Sequence, residues 1–156
     1  MKTNIGITEK NLASNIKHLT VVLSNAMILY IKTRKFHWNI TGASFMELHK
    51  LFENQYNELE KDIDEIAERI SKLGGKPIGT MKEFLKHGSL KESETNPSQK
   101  VMIEELLNDH ETVIKELRNT ITSIEEDTDD MGTADFLTAL LQSHESKAWV
   151  LRKYTK

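Results

Sequence analysis

The sequence predicts an all-α protein, a bundle of four long helices with one long connection between the second and the third. Only two prolines and seven glycines occur in 156 residues, so long stretches contain no helix breaker. Apolar residues recur at intervals of three and four along these stretches. The hydrophobic fraction of 38% is enough for one core. We therefore expect a single domain over residues 1–156, with residues 1–7 as a short N-terminal tail.

The composition excludes several classes of function. A chain without cysteine has no thiolate chemistry, no disulfide and no cysteine-ligated metal. The net charge of −3 provides no overall positive field to attract nucleic acid. No apolar stretch approaches the roughly 20 residues that a membrane span needs, and the first ten residues lack the apolar core of a signal peptide. We expect a soluble, cytoplasmic protein with no membrane partner.

The first two helices are separated by a tight turn. Thr8 is the predicted cap of the first helix, which ends near residues 36–38. Ser44 followed by Glu47 is a capping-box pattern that opens the second helix, and two glycines at 74–75 end it. The apolar stripes are Leu12, Ile16, Leu19, Leu23, Ala26 and Tyr30 in the first helix, and Phe45, Leu48, Phe52, Leu59, Ile63, Ile66 and Ile70 in the second.

The connection to the third long helix is rich in turn formers except for residues 81–87, which predict a short helix. Asn96 as cap and Pro97 in the first turn start the third long helix, the acidic segment 125–130 ends it, and Thr133 caps the last. The long crossover predicts a ferritin-like four-helix bundle with a short extra helix in the connection between helices 2 and 3. The last two stripes are Ile103, Leu106, His110, Val113, Leu117, Ile121 and Ile124, then Leu137, Leu141, His144, Ala148 and Leu151.

The usual metal site inside a ferritin-like bundle is missing from the sequence. That site uses Glu-x-x-His pairs, and none of the six histidines has a glutamate three positions before it. The second helix offers another set. His49 with Glu53, and Asp64 with Glu68, are spaced i, i+4 on a face beside the core stripe. Because the intervening helix spans about 22 Å, one chain cannot bring both pairs to one ion.

Two copies of the second helix would close the site if they packed antiparallel about a two-fold axis. His49 and Glu53 of one copy would then face Asp64 and Glu68 of the other, with His37 as a third ligand on the histidine side. Two imidazoles and three carboxylates suit Fe(II), Mn(II) or Zn(II) and not Cu(I). On spacing alone, a surface ion pair and a solvated acidic face remain the alternative.

Longer motifs resemble the Dps family of mini-ferritins, and the resemblance covers nearly the whole chain from about residue 8. It implies a hollow homo-dodecamer of four-helix subunits that oxidises Fe(II) at subunit interfaces, with hydrogen peroxide as the preferred oxidant, and stores ferric iron inside. The matching positions are 35–42, 45, 48–49, 51–53, 56, 64–70 and 73–74, followed by 132–137, 144–145, 148–149 and 151–152.

The resemblance also implies roles for individual residues. The ligands of the family's two-metal site fall on His37 and His49 from one subunit and on Asp64 and Glu68 from its neighbour. Glu53 falls on the remaining ligand, which is commonly aspartate in the family, and its carboxylate reaches one methylene further. Zinc is a competitor to consider for the same ligands.

Two aromatic residues lie near the proposed ligands. Trp38 matches a tryptophan of the family that gives up an electron and quenches a radical, and an interface anchor is the alternative role. Tyr56 lies near the proposed two-fold axis, where we expect it to pack rather than to react.

The segment 125–135 holds six acidic residues and no basic one. Repeated around a three-fold axis, these carboxylates would attract Fe(II). Glu126, Asp130 and Asp135 fall nearest to the residues that line an iron-entry pore in the family. A solvated loop is the alternative for the segment, and a helix cap is the alternative for Asp135.

DNA binding in the family depends on a mobile tail rich in lysine and arginine, which is nearly absent here. Before the first helix only Lys2 and Lys10 are basic. We therefore expect weak or no DNA binding at physiological salt. Two alternatives to a ferroxidase stay open: a nucleoid-associated protein that coats DNA and oxidises iron only secondarily, and a shell or surface protein whose metal site has degraded.

Overall fold

The structure is a computed structural model and describes residues 2–156. Within those residues, four long helices and one short helix form an all-helical bundle, which confirms the predicted fold class. The short helix lies in the long connection between the second and third long helices, as expected. The helices are α1 (Glu9–Asn39), α2 (Phe45–Lys72), α3 (Met81–His87), α4 (Gln99–Asp127) and α5 (Met131–Lys153).

The bundle is built from two helix pairs, each joined by a short turn. α1 packs along α2 and α4 packs along α5, while α1 also contacts α3 and α4. A partly buried ion pair between Lys32 Nζ and Asp109 Oδ2, 2.6 Å long, joins the two pairs. Lys35 fastens the crossover to α1 by donating hydrogen bonds to the carbonyl oxygens of Ser93 and Thr95. The fully buried centre of the core includes Leu19, Leu29, Phe36, Phe52, Leu59, Ile70, Leu106 and Leu137.

One helix is more apolar than the sequence analysis expected. An 18-residue window of α1 has a mean hydropathy of 1.2, which is enough by length and composition to cross a membrane. Half of that window is buried inside the bundle. The buried apolar residues of this helix, including Leu19, Leu23 and Leu29, belong to the core of the bundle. A core helix meets the same criterion as a spanning one.

One predicted helix start differs from the observed one, and one predicted capping box does not form. Ser44 is the N-cap of α2, as predicted, but its side chain makes no capping hydrogen bond. The capping box lies instead at α3, where the Thr80 hydroxyl and the Glu83 carboxylate each bind the other residue's backbone N–H. α4 begins after Ser98, two residues later than Asn96 and Pro97 would place it. The predicted cap at Thr8 is confirmed, since its hydroxyl accepts a hydrogen bond from the N–H of Asn11.

Asp130, and not Thr133, caps the last helix. One carboxylate oxygen of Asp130 accepts the backbone N–H of Thr133 at 3.0 Å and lies 3.3 Å from Arg69 Nη2. The other accepts from Asn15 Nδ2 at 3.0 Å and from the Thr133 hydroxyl at 2.6 Å. Although burial raises the pKa of Asp130, the bonds from Thr133, the charge of Arg69 and the bond from Asn15 lower it overall. The cap thus ties α5 to α1 and α2.

Replacing Asp130 by alanine should destabilise the fold by about 2 to 4 kcal/mol, since it removes a helix cap and leaves buried donors unpaired. Urea denaturation followed by circular dichroism measures this loss. Asp127→Ala is the matched control, because Asp127 is an exposed acid at the end of α4. Equal midpoints for the two variants would show that the Asp130 network contributes nothing to stability.

Two residues of the short tail before α1, Thr3 and Ile7, are packed against the bundle. Thr3 lies so close to Gly74 that a Cβ at Gly74 would be 2.3 Å from the Thr3 hydroxyl, and Ile7 packs on the core. Gly74 also has a φ of 87°, a conformation that favours glycine at the end of a helix. The glycine that ends α2 therefore also makes room for the N-terminal segment.

Candidate metal site

Two histidines from neighbouring helices lie together at one end of the α1–α2 pair. His37 is in the last turn of α1, and His49 is in the second turn of α2. Their rings stack with centroids 3.8 Å apart and an interplanar angle of 18°. The tight turn between the helices makes this possible, because Gly42 adopts a φ of 119° that other residues rarely take.

Each of these histidines is held by the backbone of the other. His37 Nδ1 lies 2.7 Å from the carbonyl oxygen of His49, and His49 Nδ1 lies 2.9 Å from the carbonyl oxygen of His37. A carbonyl oxygen only accepts hydrogen bonds, so both Nδ1 atoms carry a proton, and Nε2 is the atom of each ring that can bind a metal ion. Metal-ligating histidines are commonly fixed in this way. The pair therefore fits a metal ion bound through Nε2.

Glu53 lies one turn after His49 on α2. Its Oε2 is 2.6 Å from Lys50 Nζ. The hydrogen bond and the charge of Lys50 lower the pKa of Glu53, with smaller contributions from His37 and His49. Glu53 is consequently an ionised carboxylate beside the histidine pair. A metal ion bound there would interact with the same carboxylate as Lys50.

Asp64 and Glu68 lie toward the other end of α2, and both are exposed. Glu68 Oε2 is 3.7 Å from Lys72 Nζ. The unbroken helix places Asp64 about 22 Å from His49 along the axis. Across residues 2–156 of one chain, no three histidine, aspartate or glutamate side chains converge on a position for a metal ion. A single chain thus carries two separate halves of the predicted ligand set.

Exposed apolar side chains surround the histidine pair. Trp38 is 66% exposed and Met46 is 73% exposed. The Phe45 ring stacks on His49 with centroids 5.1 Å apart. The prediction that Phe45 belongs to the core was wrong, because it is the first residue of α2 and covers the histidine instead. Apolar surface of this kind is typical of an interaction surface.

A second histidine pair is buried between α4 and α5. The Nδ1 atoms of His110 and His144 are 2.8 Å apart, so one ring donates to the other. Burial lowers the pKa of both, and for His144, where the Lys147 cation adds to the effect, to about 3. Lys147 is itself buried and lies 2.8 Å from Glu58. The pair is neutral and structural, as its position in two core stripes predicted.

Comparison with known proteins agrees with this architecture. The family model described as ferritin-like domain matches residues 16–156. DNA protection during starvation protein 2 of Bacillus anthracis is 37% identical over 139 residues, which are 89% of this chain and 94% of the relative. The chain belongs to the Dps family. This confirms the resemblance, which rested on the motifs around His37, His49 and Asp64.

Other similar proteins extend over the whole length of this Dps chain. An uncharacterized low temperature-induced protein of Nostoc sp. is 42% identical over 154 residues, covering 98% of this chain and 86% of the relative. A crystal structure of a Dps protein from Vibrio cholerae is described as a member of a broad superfamily of ferritin-like diiron-carboxylate proteins. It has a TM-score of 0.93 and 29% identity, covering 100% of this chain and 98% of that one.

The acidic segment of this Dps protein contains both exposed and buried residues. Glu126 and Asp135 are exposed, and Asp135 lines an open cleft together with Glu125 and Asp129. Asp130 is only 4% exposed, and both of its oxygens are occupied by the α5 cap. We therefore correct its assignment from pore residue to helix cap. The helix cap considered as an alternative for Asp135 is likewise taken by Asp130.

Proposed function

We propose that this Dps protein is a mini-ferritin ferroxidase. It oxidises Fe(II), with hydrogen peroxide as the oxidant, stores ferric iron in a hollow shell of twelve copies, and thereby protects the cell from oxidative damage. The observation that carries the proposal is the mutual fixing of His37 and His49, which leaves both Nε2 lone pairs free for a metal ion. The description of the Vibrio cholerae relative as a diiron-carboxylate protein supports it.

The proposed site is shared between two chains. His37, His49 and Glu53 come from one chain, and Asp64 and Glu68 come from a two-fold related copy. Two observations support this division: the two halves lie far apart on α2, and exposed apolar side chains flank the histidines. A two-fold axis across α2 then forms two equivalent sites.

The iron supplies the redox chemistry of the proposed reaction. Two Fe(II) ions each lose one electron, and one hydrogen peroxide takes up two electrons and two protons to form two waters. The protein binds the ions, neutralises part of their charge with carboxylates and keeps the imidazoles in the ligating tautomer. Zinc accepts the same nitrogen and oxygen ligands but has no redox chemistry, so it is the proposed competitor.

Exposed carboxylates of the acidic segment are proposed to guide iron into the shell. Glu126 and Asp135, repeated around a three-fold axis, would create a negative potential at each pore. The proposed location is the cytoplasm. The chain contains no cysteine, so it needs no oxidising compartment for disulfide formation.

A DNA-coating function is the second candidate, and the name of the Bacillus anthracis relative favours it. The chain argues against strong binding. Its net charge is −3, and Lys2, the single basic residue among residues 2–8, has its Nζ 2.7 Å from Glu9 Oε1. Lys10, predicted to precede the first helix, lies within α1. Binding that depends on a few phosphate contacts is lost as salt rises.

One pair of measurements tests both candidates. The apoprotein is loaded anaerobically with Fe(II), peroxide is added and ferric absorbance is followed, while a gel shift with duplex DNA is run across a salt series. We expect rapid oxidation that consumes one peroxide for two Fe(II), and DNA retardation only below about 50 mM salt. Oxidation no faster than in buffer alone, together with retardation at physiological salt, would favour the DNA-coating function.

A further inference from the structure

We propose that Tyr56 donates an electron to peroxide when a site holds a single Fe(II) ion. The inference rests on the proposed ferroxidase function and begins with a ring contact. Tyr56 meets the His37 ring edge-on, with centroids 5.2 Å apart and an interplanar angle of 74°. Within residues 2–156, the aromatic contacts of the two histidines are with each other, with Tyr56 and with Phe45. Of these rings, the phenol is the most easily oxidised.

The surroundings of Tyr56 also distinguish it from Trp38, to which the sequence analysis gave this role. Tyr56 is 9% exposed, whereas Trp38 is 66% exposed and its ring contacts neither histidine of the site. A radical on Tyr56 would be shielded from solvent and would touch a ligand of the iron. The sequence predicted only packing for Tyr56, because spacing along α2 does not reveal its contact with α1.

The guanidinium of Arg34 favours oxidation of a tyrosine over that of a tryptophan. Its Cζ lies 4.7 Å from the centre of the Tyr56 ring, 5.6 Å from that of Tyr30 and 5.8 Å from that of Trp38. A cation over a ring face opposes positive charge on that ring. A tyrosine that loses its phenol proton together with the electron stays neutral, whereas an oxidised tryptophan at first carries a positive charge. Arg34 also donates a hydrogen bond to the Tyr30 hydroxyl, which fixes its position.

The proposed step balances in electrons and protons. The lone Fe(II) gives one electron and becomes Fe(III). Tyr56 gives the second electron and its phenol proton, and solvent gives the other proton. The O–O bond of peroxide breaks, two waters form, and a neutral tyrosyl radical remains in place of a free hydroxyl radical. A second Fe(II) later returns an electron, and a proton from solvent restores the phenol.

The test uses Tyr56→Phe, which keeps the ring against His37 and removes the phenol. Tyr154→Phe is the matched control, because it makes the same chemical change on an exposed tyrosine just after α5. Assembled protein with one Fe(II) per histidine pair is mixed with equimolar peroxide and frozen for electron paramagnetic resonance, and a parallel sample contains a spin trap. We expect about ten-fold less tyrosyl radical in Tyr56→Phe and correspondingly more trapped hydroxyl radical, with wild-type values in Tyr154→Phe.

A radical that persists in Tyr56→Phe, or that disappears in Trp38→Phe instead, would overturn the proposal. Wild-type protein containing ring-deuterated tyrosine is a second readout that needs no substitution. Its spectrum must narrow if the radical is a tyrosyl, and an unchanged spectrum would also overturn the proposal. Ferric absorbance in the same samples separates two kinds of failure. If wild type oxidises no Fe(II), the proposed ferroxidase function is contradicted as well. If oxidation is normal and the radical is unchanged in Tyr56→Phe, only the role of Tyr56 is contradicted.

Discussion

Replacing His49 or Asp64 by alanine is expected to slow Fe(II) oxidation by at least about 10- to 100-fold. Losing a residue that only hydrogen-bonds to a metal ligand already has an effect of this size. His49→Ala removes one proposed imidazole ligand and the hydrogen bond between its ring and the backbone of His37. Asp64→Ala removes a carboxylate that is exposed in the isolated chain, so the fold should tolerate the change. The initial rate of ferric absorbance after peroxide addition measures both effects.

Matched controls separate loss of a ligand from general damage. Glu65→Ala changes an exposed acid next to Asp64 that takes part only in an exposed pair with Lys61, 3.9 Å away. His87→Ala removes an exposed histidine on α3. Both controls should oxidise iron at the wild-type rate. Wild-type rates for His49→Ala and Asp64→Ala as well would place the reaction elsewhere, with the exposed acids around Glu126 as the next candidates.

Acidification below pH 6.5 is expected to destabilise the fold steeply because of the buried His110–His144 pair. Both pKa values lie below the ordinary value of 6.5 in the folded chain, that of His144 at about 3, because burial disfavours the charged rings. Below pH 6.5 the unfolded chain therefore binds two protons that the folded chain does not. The contribution of the pair to the free energy of unfolding is complete above pH 6.5 and falls by about 2.7 kcal/mol for each pH unit below it.

His144→Gln isolates this effect. Glutamine does not titrate, and its amide can still bond to His110 Nδ1. In urea titrations between about pH 5 and pH 6.5, above the range where ordinary carboxylates titrate, the slope of stability against pH should fall to about half, or 1.4 kcal/mol per unit. His87→Gln, on the exposed surface of α3, should keep the wild-type slope. Equal slopes in all three proteins would show that the buried pair does not control the acid response.

Two partly buried carboxylates act in the opposite direction. Burial raises the pKa of Asp62, near Lys147 and Glu58, and also that of Asp109, which pairs with Lys32. Each takes up its proton in the folded chain at a higher pH than in the unfolded chain, which stabilises the fold on acidification. The difference between wild type and His144→Gln cancels their contribution, so it reports the histidines alone.

The sequence was sufficient for the helices because periodic apolar residues and rare glycines fix where a helix forms. It was insufficient for the caps. Thr133 and Asp130 are both acceptable caps locally, and the choice depends on Asn15 and Arg69, which lie far away in the chain. Thr80 and Ser44 are each followed by a glutamate three positions later, yet only Thr80 forms a capping box.

The candidate site, like the helices and their caps, was predictable from the sequence only in part. The i, i+4 spacing on α2 indicated two half-sites, and the structure keeps them apart within one chain. The mutual bonds of His37 and His49 depend on the turn that brings the last turn of α1 against α2. No pattern in the residues predicts that contact. The contact of Tyr56 with His37 was missed for the same reason.

Co-assembly of the two ligand variants tests most directly whether the site is shared between chains. His49→Ala and Asp64→Ala are unfolded together, refolded as a one-to-one mixture and assayed for Fe(II) oxidation. In a mixed two-fold dimer one site lacks both ligands and the other is intact, so random pairing should restore about one quarter of the wild-type rate. Variants mixed after separate assembly should stay slow. No recovery after co-assembly would contradict a site built from two chains.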